Sequence, residues 1–308
     1  MIFAGICEKI YRMTTPRPPR PVDALSVAFI GLLLLLVLAF SGRIPGAGLL
    51  ALRYLGVVLL VAAASTAARR RPEGRLLGYI NILLPIFVVA FTFDSMSQLT
   101  RYINPPDKDA WLAGLDLSIF GVHPGVWMER IIHPALTTVL QLCYTSYYFL
   151  PIALCLILYF RGERDAFERS VFGIVLGFFV SYVGYILVPA LGPRFFIGDM
   201  FHADLMRGHI AAAINDTLNL LEGENRDAFP SGHTEVVLIV LLYAWRYRRW
   251  YFWLALPLVS GLIFSTVYLR YHYAVDVIAG VILAPLCVVL ASWLYDKLAK
   301  PGALGSRG

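Results

Sequence analysis

Charged residues are scarce in this chain. Only 15% of its 308 residues are Asp, Glu, Lys or Arg, whereas soluble domains average about a quarter. Hydrophobic residues make up 59% of the sequence, which is more than one globular core can bury. This composition excludes an ordinary soluble domain and indicates a protein that lies largely within a lipid bilayer.

Cysteine is also rare, and none of the four cysteines forms a CxxC pair. Cys143, Cys155 and Cys287 lie within apolar runs, where we interpret them as small apolar side chains. This pattern excludes a disulfide framework and a zinc knuckle. A cleavable signal peptide is not apparent either, since residues 12–21 are basic and rich in proline, which is typical of a flexible cytoplasmic tail.

Long apolar runs dominate the rest of the chain. A membrane-spanning helix needs about 20 mostly apolar residues, and eight segments qualify. They lie near residues 24–40, 49–67, 77–93, 136–160, 170–191, 235–245, 251–268 and 273–294. The sixth is short, and we expect it to begin at His233. The sequence therefore predicts an all-α membrane protein with about eight transmembrane helices.

Arginine and lysine are concentrated in every second connection between these segments. They occur at 69–71 and 75, at 161, 164 and 169, at 246, 248 and 249, and at 297 and 300. Cytoplasmic loops carry such an excess of basic residues, so we expect these connections and both termini to lie in the cytoplasm. The alternate connections, 41–48, 94–135, 192–232 and 269–272, would face the periplasm, the exterior or a lumen.

Three polar motifs lie at the outward ends of the predicted helices, where they can share one site. They are Gly-Pro-Arg (192–194), Asp-Ala-Phe-Pro-Ser-Gly-His-Thr (227–234) and Arg-Tyr-His-Tyr-Ala-Val-Asp (270–276). The second opens a helix, which offers free backbone N–H groups to an anion, and Gly232 lets the backbone approach closely. Ser231 adds a hydroxyl donor, and Arg194 adds a planar cation that matches phosphate oxygens.

The third motif pairs an imidazole with a carboxylate. His272 and Asp276 are four residues apart, so a helix places them on one face. A carboxylate behind an imidazole fixes its tautomer, which suits a nucleophile or a base. Two questions stay open at this point: whether His233, His272 and Asp276 bind a metal, and whether Arg270 contacts phosphate or only lipid head groups.

These motifs resemble those of the phosphatidic acid phosphatase type 2 superfamily of membrane lipid phosphatases and phosphotransferases. The runs Ser-Thr-Val-Tyr-Leu-x-x-His-Tyr-x-x-Asp (265–276) and Ala-Phe-Pro-Ser-x-His (228–233) are most similar to the inositol phosphorylceramide synthase branch. They are also similar to sphingomyelin synthases. The resemblance covers about the last three-quarters of the chain, and the first two predicted helices lie outside it.

The resemblance implies a role for each site residue. His272 would attack phosphorus to form a phosphohistidine, with Asp276 orienting it, and His233 would protonate the leaving oxygen. The phosphate would be held by Arg194, Ser231 and the Gly232 amide, with Arg270 as a further candidate. The family requires no metal and no other cofactor, and its partners are membrane lipids rather than nucleic acid.

Two cations of the phosphatase pattern are missing, since Leu187 stands in place of a Lys and Thr266 in place of an Arg. Their loss favours head-group transfer from a phospholipid to a lipid alcohol. The alternatives are a lipid phosphomonoester phosphatase and, more distantly, a lipid or anion transporter. The expected organisation is a basic tail (1–23), two N-terminal transmembrane helices (24–76), a catalytic six-helix core (77–297) and a cytoplasmic tail (298–308).

Overall fold

The fold was taken from a computed structural model, which describes residues 20–70, 75–205 and 225–299. Every regular element in these ranges is a helix, as predicted. The α-helices are α1 (Pro21–Ala39), α2 (Ala47–Arg70), α3 (Arg75–Ile103), α4 (Asp109–Phe120), α5 (Pro124–Trp127), α6 (Pro134–Thr145), α7 (Leu150–Phe160), α8 (Arg164–Leu187), α9 (Pro193–Phe196), α10 (Gly232–Tyr247), α11 (Arg249–Tyr268) and α12 (Ala274–Ala299). Most of the basic N-terminal tail and the C-terminal tail lie outside the described residues.

Six helices within the described ranges are long and apolar enough to cross a membrane: α1, α2, α3, α8, α11 and α12. Helices α6 and α7 pass the same test only as a pair, bent by 47° at a 3-10 turn. Helix α10 has 16 residues, about 24 Å at 1.5 Å per residue. The chain is thus a multi-pass membrane protein, and each of the eight predicted segments contains a helix.

The predicted end of the third segment, at residue 93, is wrong. Helix α3 continues to Ile103 because the hydroxyl groups of its polar residues form hydrogen bonds within the helix. Ser95 donates to the carbonyl of Thr92, and Thr100 donates to that of Met96. Such bonds let Ser and Thr remain inside an apolar helix. As a result, Asp94 lies within a membrane-spanning helix rather than in a loop.

Helix α8 lies at the centre of the bundle, where it packs against α1, α3, α7, α10 and α12. Small residues allow the close contact with α10. A Cβ atom at Gly173 would overlap Tyr243, and one at Gly177 would overlap Ile239. Small side chains of this kind let membrane helices approach closely without any hydrophobic driving force between them.

The two N-terminal helices pack on this core. The Phe29 ring stacks on Phe179 of α8 at 4.0 Å, and Arg20 forms an ion pair with Glu168. Tyr54 of α2 is hydrogen-bonded to Ser95 of α3. The division into an N-terminal pair and a six-helix core stays a prediction.

The bundle has two chemically different ends. At the first, which we call the basic end, Arg248 pairs with Glu163, and Arg169 pairs with Asp296. At the opposite end, which we call the site end, the N–H of Ser231 donates to the carbonyl of Asp276. The three predicted motifs therefore meet at one end of the bundle.

Candidate active site

The Pro-Ser-Gly-His turn begins helix α10 and is held tightly in place. The Ser231 hydroxyl caps the helix by accepting from the Thr234 N–H at 3.3 Å, and it donates to the Thr234 hydroxyl at 3.1 Å. A Cβ atom at Gly232 would overlap the Tyr185 hydroxyl. A larger residue at this point would have to displace the Tyr185 side chain, so glycine allows the close approach of α8 to the turn.

His272 lies just before α12, and one protein partner determines its tautomer. Its Nδ1 is 2.7 Å from the carbonyl oxygen of Ala228 and 3.6 Å from Oδ2 of Asp276. Because a carbonyl oxygen only accepts hydrogen bonds, Nδ1 must carry the proton. The lone pair then lies on Nε2, which faces His233.

The two imidazoles are adjacent. His272 Nε2 and His233 Nδ1 are 3.5 Å apart. The His233 ring also lies between two tyrosines, with centroid distances of 4.6 Å to Tyr144 and 4.2 Å to Tyr147. This aromatic sandwich limits the orientations that His233 can adopt.

Asp276 lies near Nδ1 of His272, whereas Nε2 of that ring faces His233. Its Oδ2 accepts from the Tyr273 N–H at 2.8 Å, and its side chain is fully buried. The two histidines and Asp276 therefore do not converge on a common point. Within the described ranges, no group of three or more His, Cys, Asp and Glu side chains is arranged to hold a metal ion.

Arg194 supplies a cation to the cavity that the two histidines line. Its guanidinium lies over the Tyr271 ring at 4.7 Å. The main-chain N–H of Arg194 donates to the main-chain carbonyl of Arg270. The preceding Gly192 has a φ of 93°, and a Cβ atom there would lie 2.6 Å from the Tyr271 carbonyl oxygen. Glycine is needed here for both its conformation and its size.

Arg270 is directed elsewhere. Its guanidinium donates to Glu129 at 2.8 Å and to the Ala203 carbonyl at 2.7 Å, and it lies over the Phe201 ring at 4.2 Å. Through these contacts Arg270, in the turn before α12, joins the segment between α5 and α6 to the segment that follows α9. Its predicted contact with phosphate stays a prediction.

Two aspartates outside the three predicted motifs hold the site together. Asp109 accepts from the N–H groups of Leu191 and Gly192 and from the Tyr273 hydroxyl. Asp116 accepts at 2.9 Å from each of the first two N–H groups of α12, those of Ala274 and Val275. Burial raises the pKa of Asp116, and these two bonds oppose that rise. Asp109 and Asp116 are seven residues apart, about two turns of one short helix, and this spacing is the signal in the sequence that could have identified them.

The histidines open into a cavity of about 920 Å³. Its polar end contains Tyr144, Tyr147, Tyr148, Arg194, Asn225, Asp227, His233, Tyr271 and His272. Of the predicted site residues, Arg194, His233 and His272 line it, whereas Ser231, Gly232, Asp276 and Arg270 are not among the lining residues.

An apolar arm extends from this polar end between α3, α7 and α8. Along α8 it reaches from Tyr185 to Phe167, a distance of about 27 Å for 18 helical residues. Its walls include Leu83 and Ile86 of α3 and Ile152 of α7, which are also exposed on the bundle surface. The cavity thus combines a polar end, which bears Arg194 and the two imidazoles, with a long apolar groove.

Comparison with known proteins gives a family match. The family model described as the PAP2 superfamily matches residues 111–290. The phosphoinositol dihydroceramide synthase of Bacteroides thetaiotaomicron is 28% identical over 234 residues, which cover 69% of this chain and 75% of that protein. The bacitracin transport permease protein BcrC of Bacillus licheniformis is 29% identical over 90 residues, which cover 29% of this chain and 43% of that protein. No solved structure matches the chain.

Proposed function

Because the chain belongs to the PAP2 superfamily, we propose that it transfers the phosphate-bearing head group of a glycerophospholipid to a lipid alcohol through a phosphohistidine. Membership of the family, together with the synthase relative, makes the chain a membrane lipid phosphotransferase or phosphatase. The head-group transfer, the covalent intermediate and the role of each residue are the proposal.

The tautomer of His272 is the observation that carries the proposal. With Nδ1–H donating to Ala228, the lone pair of His272 lies on Nε2, beside His233 at the cavity wall, where we propose that it attacks phosphorus. Asp276, 3.6 Å from Nδ1, stabilises the positive charge that develops on the ring during the attack. A buried carboxylate in this position is the usual support for an imidazole that becomes charged.

In the first half-reaction, Nε2 of His272 forms a bond to phosphorus and the bond from phosphorus to the diacylglycerol oxygen breaks. His233, protonated, gives its proton to that leaving oxygen. Arg194 lies in the same cavity and stabilises the charge on the non-bridging phosphate oxygens. Fixed donors and cations of this kind usually make the largest contribution to catalysis.

In the second half-reaction, neutral His233 removes the proton from the acceptor alcohol. The alcohol oxygen attacks phosphorus, the nitrogen–phosphorus bond breaks, and His272 returns to its starting state. The same histidine thus acts as acid and then as base, and no proton is gained or lost over the cycle. The head group ends on the acceptor lipid.

The apolar arm supports lipids as both substrates. It begins beside the histidines and is bordered by side chains on the outer surface of the bundle, so a lipid tail can enter sideways from the bilayer. The relative named phosphoinositol dihydroceramide synthase supports a phosphoinositol head group and a ceramide-like acceptor. Water as the acceptor would make the chain a phosphatase with the same first half-reaction.

A reconstituted assay tests the proposal. The purified protein in vesicles is given a glycerophospholipid with a radiolabelled head-group phosphate, with and without ceramide. We expect label in a new lipid only when the alcohol is present. Release of label into water whatever the acceptor would identify a phosphatase, and lack of any turnover would contradict the proposal.

Matched variants test the covalent step. In the absence of acceptor, acid-labile and base-stable label on the protein is the signature of phosphohistidine. We expect this label in the unmodified chain and none in His272→Gln. An Asp165→Asn variant, changed at the basic end, provides the control for a mutation far from the site.

A further inference from the structure

Asp94 is a carboxylate on the wall of the cavity that the mechanism above does not use. It lies within α3, which spans the membrane by length and composition, and its side chain is exposed to the cavity. No hydrogen bond or ion pair to it is present among the residues that the structure describes. Ionisable residues inside membrane-spanning helices are costly and usually functional.

Contacts between α3 and α8 locate Asp94 along the bundle. Tyr182 of α8 donates to the carbonyl of Val89, and Asn104 donates to that of Leu187. Asp94 lies between these two levels. Ser181, adjacent to Tyr182, donates to Glu235 on the first turn of α10. Asp94 is therefore near the level at which α10 presents His233.

On α3, Asp94 marks the boundary between the two parts of the cavity. All cavity-lining residues of α3 on its basic-end side are apolar, from Ile82 to Phe93. The part of a bound lipid that faces Asp94 is thus the junction between its tails and the reacting oxygen. A phosphate is disfavoured there by charge repulsion, whereas Arg194 and the histidines attract it.

We propose that Asp94 selects the acceptor lipid by accepting hydrogen bonds from donors at the junction between its tails and its reacting hydroxyl. This inference rests on the proposed function, and it names the acceptor class. Ceramide-type lipids carry an amide N–H and a second hydroxyl at this junction, and both can donate to a carboxylate. Diacylglycerol carries two esters there, which only accept hydrogen bonds.

The same chemistry favours the forward direction of transfer. The diacylglycerol that leaves after the first half-reaction has no donor to offer Asp94, so the carboxylate does not retain it. A ceramide-type lipid that replaces it gains one or two hydrogen bonds to a charged group. Asp94 is in this role a specificity residue, and its removal alters the choice of acceptor more than the attack on phosphorus.

The test measures binding, so that it does not depend on turnover. Short-chain ceramide and short-chain diacylglycerol of matched length are titrated into the purified protein, into Asp94→Asn and into Asp94→Leu. A hydrogen bond to a charged group is worth about 1.5–3 kcal/mol, so we expect a preference for ceramide of about 10-fold or more. Asp94→Asn should reduce the preference, and Asp94→Leu should abolish it.

Asp165→Asn, the same substitution at the basic end, should keep the preference. Thermal unfolding shows whether each variant is folded, and loss of a charge from an apolar wall is not expected to lower the unfolding temperature. Equal binding of the two lipids by the unmodified protein, or an unchanged preference in both Asp94 variants, overturns the inference. A preserved preference in a protein that transfers no head group would instead contradict the proposed function alone.

Discussion

At the scale of single residues, the two histidines have different surroundings, which support the different tasks proposed for them. His272 is buried and fixed by a main-chain carbonyl and Asp276. His233 is packed between aromatic faces and opens to the cavity. The first arrangement suits a nucleophile, which needs a defined lone pair. The second suits a proton carrier, which must reach two different oxygens in turn.

This division predicts how His233→Ala responds to the leaving group. General acids contribute about 100- to 10,000-fold, so transfer from a lipid donor should fall by at least 100-fold. With a nitrophenyl phosphodiester, whose leaving group departs without a proton, the loss should be less than about 10-fold. Initial rates of both substrates measure the difference.

His272→Gln is the control in that experiment, and it should be inactive with both donors because no nucleophile remains. Equal losses of His233→Ala on the two substrates would show that His233 does not act as the acid. Activity of His272→Gln on either donor would remove the covalent intermediate from the mechanism.

The aromatic sandwich around His233 gives a second prediction. Tyr144→Phe keeps the ring and should keep kcat, whereas Tyr144→Leu frees the imidazole and should lower kcat about 10-fold, given about 0.5–1.5 kcal/mol for an aromatic contact. Tyr247→Leu, which removes a ring that stacks on Tyr243 near the basic end, is the matched control. If Tyr144→Leu raised only KM, Tyr144 would be a substrate contact rather than a positioning residue.

At the scale of elements, the short helix α4 holds two motifs together. Asp109 binds the turn before α9, and Asp116 binds the start of α12. The two carboxylates lie on a helix that does not cross the bilayer, yet they determine where Arg194 and His272 sit. A helix that contains none of the three predicted motifs is therefore part of the site.

Replacing Asp116 tests this function of α4. Asp116→Ala leaves the N–H groups of Ala274 and Val275 without their acceptor, and losing such a cap costs about 0.5–2 kcal/mol. We expect a lower unfolding temperature and also a lower kcat, since His272 lies only two residues before Ala274. Asp107→Asn, in an ion pair with Arg226 near the surface, should change both much less.

Sequence patterns identified the helices and the two histidine motifs because these depend on local spacing. His272 and Asp276 are one helical turn apart, and Ser231 caps the helix that it begins. The contacts of Asp109 and Ala228 join distant segments, which spacing does not encode. The end of α3 was misplaced for a different reason, since hydroxyls after residue 93 form hydrogen bonds within the helix itself.

At the scale of the whole molecule, ion pairs link the helix ends and short connections at the basic end. Arg248 pairs with Glu163, and Arg169 joins α8 to Asp296 at the end of α12. The basic end and the site end therefore lie at opposite ends of the bundle, and the remaining question is which of them faces the cytoplasm. The positive-inside rule applies to short loops, and the basic-end connections are short, whereas two of the four connections at the site end are long.

This asymmetry predicts that the basic end is cytoplasmic and that the site faces the other side. In a background without native cysteines, Ser118→Cys at the site end should react with a membrane-impermeant maleimide in intact cells. Arg161→Cys at the basic end should react only after permeabilisation. Both positions are exposed, so a difference in labelling reports sidedness rather than burial. The opposite pattern would place His233 and His272 on the cytoplasmic side, and the donor and acceptor lipids would then come from the cytoplasmic leaflet.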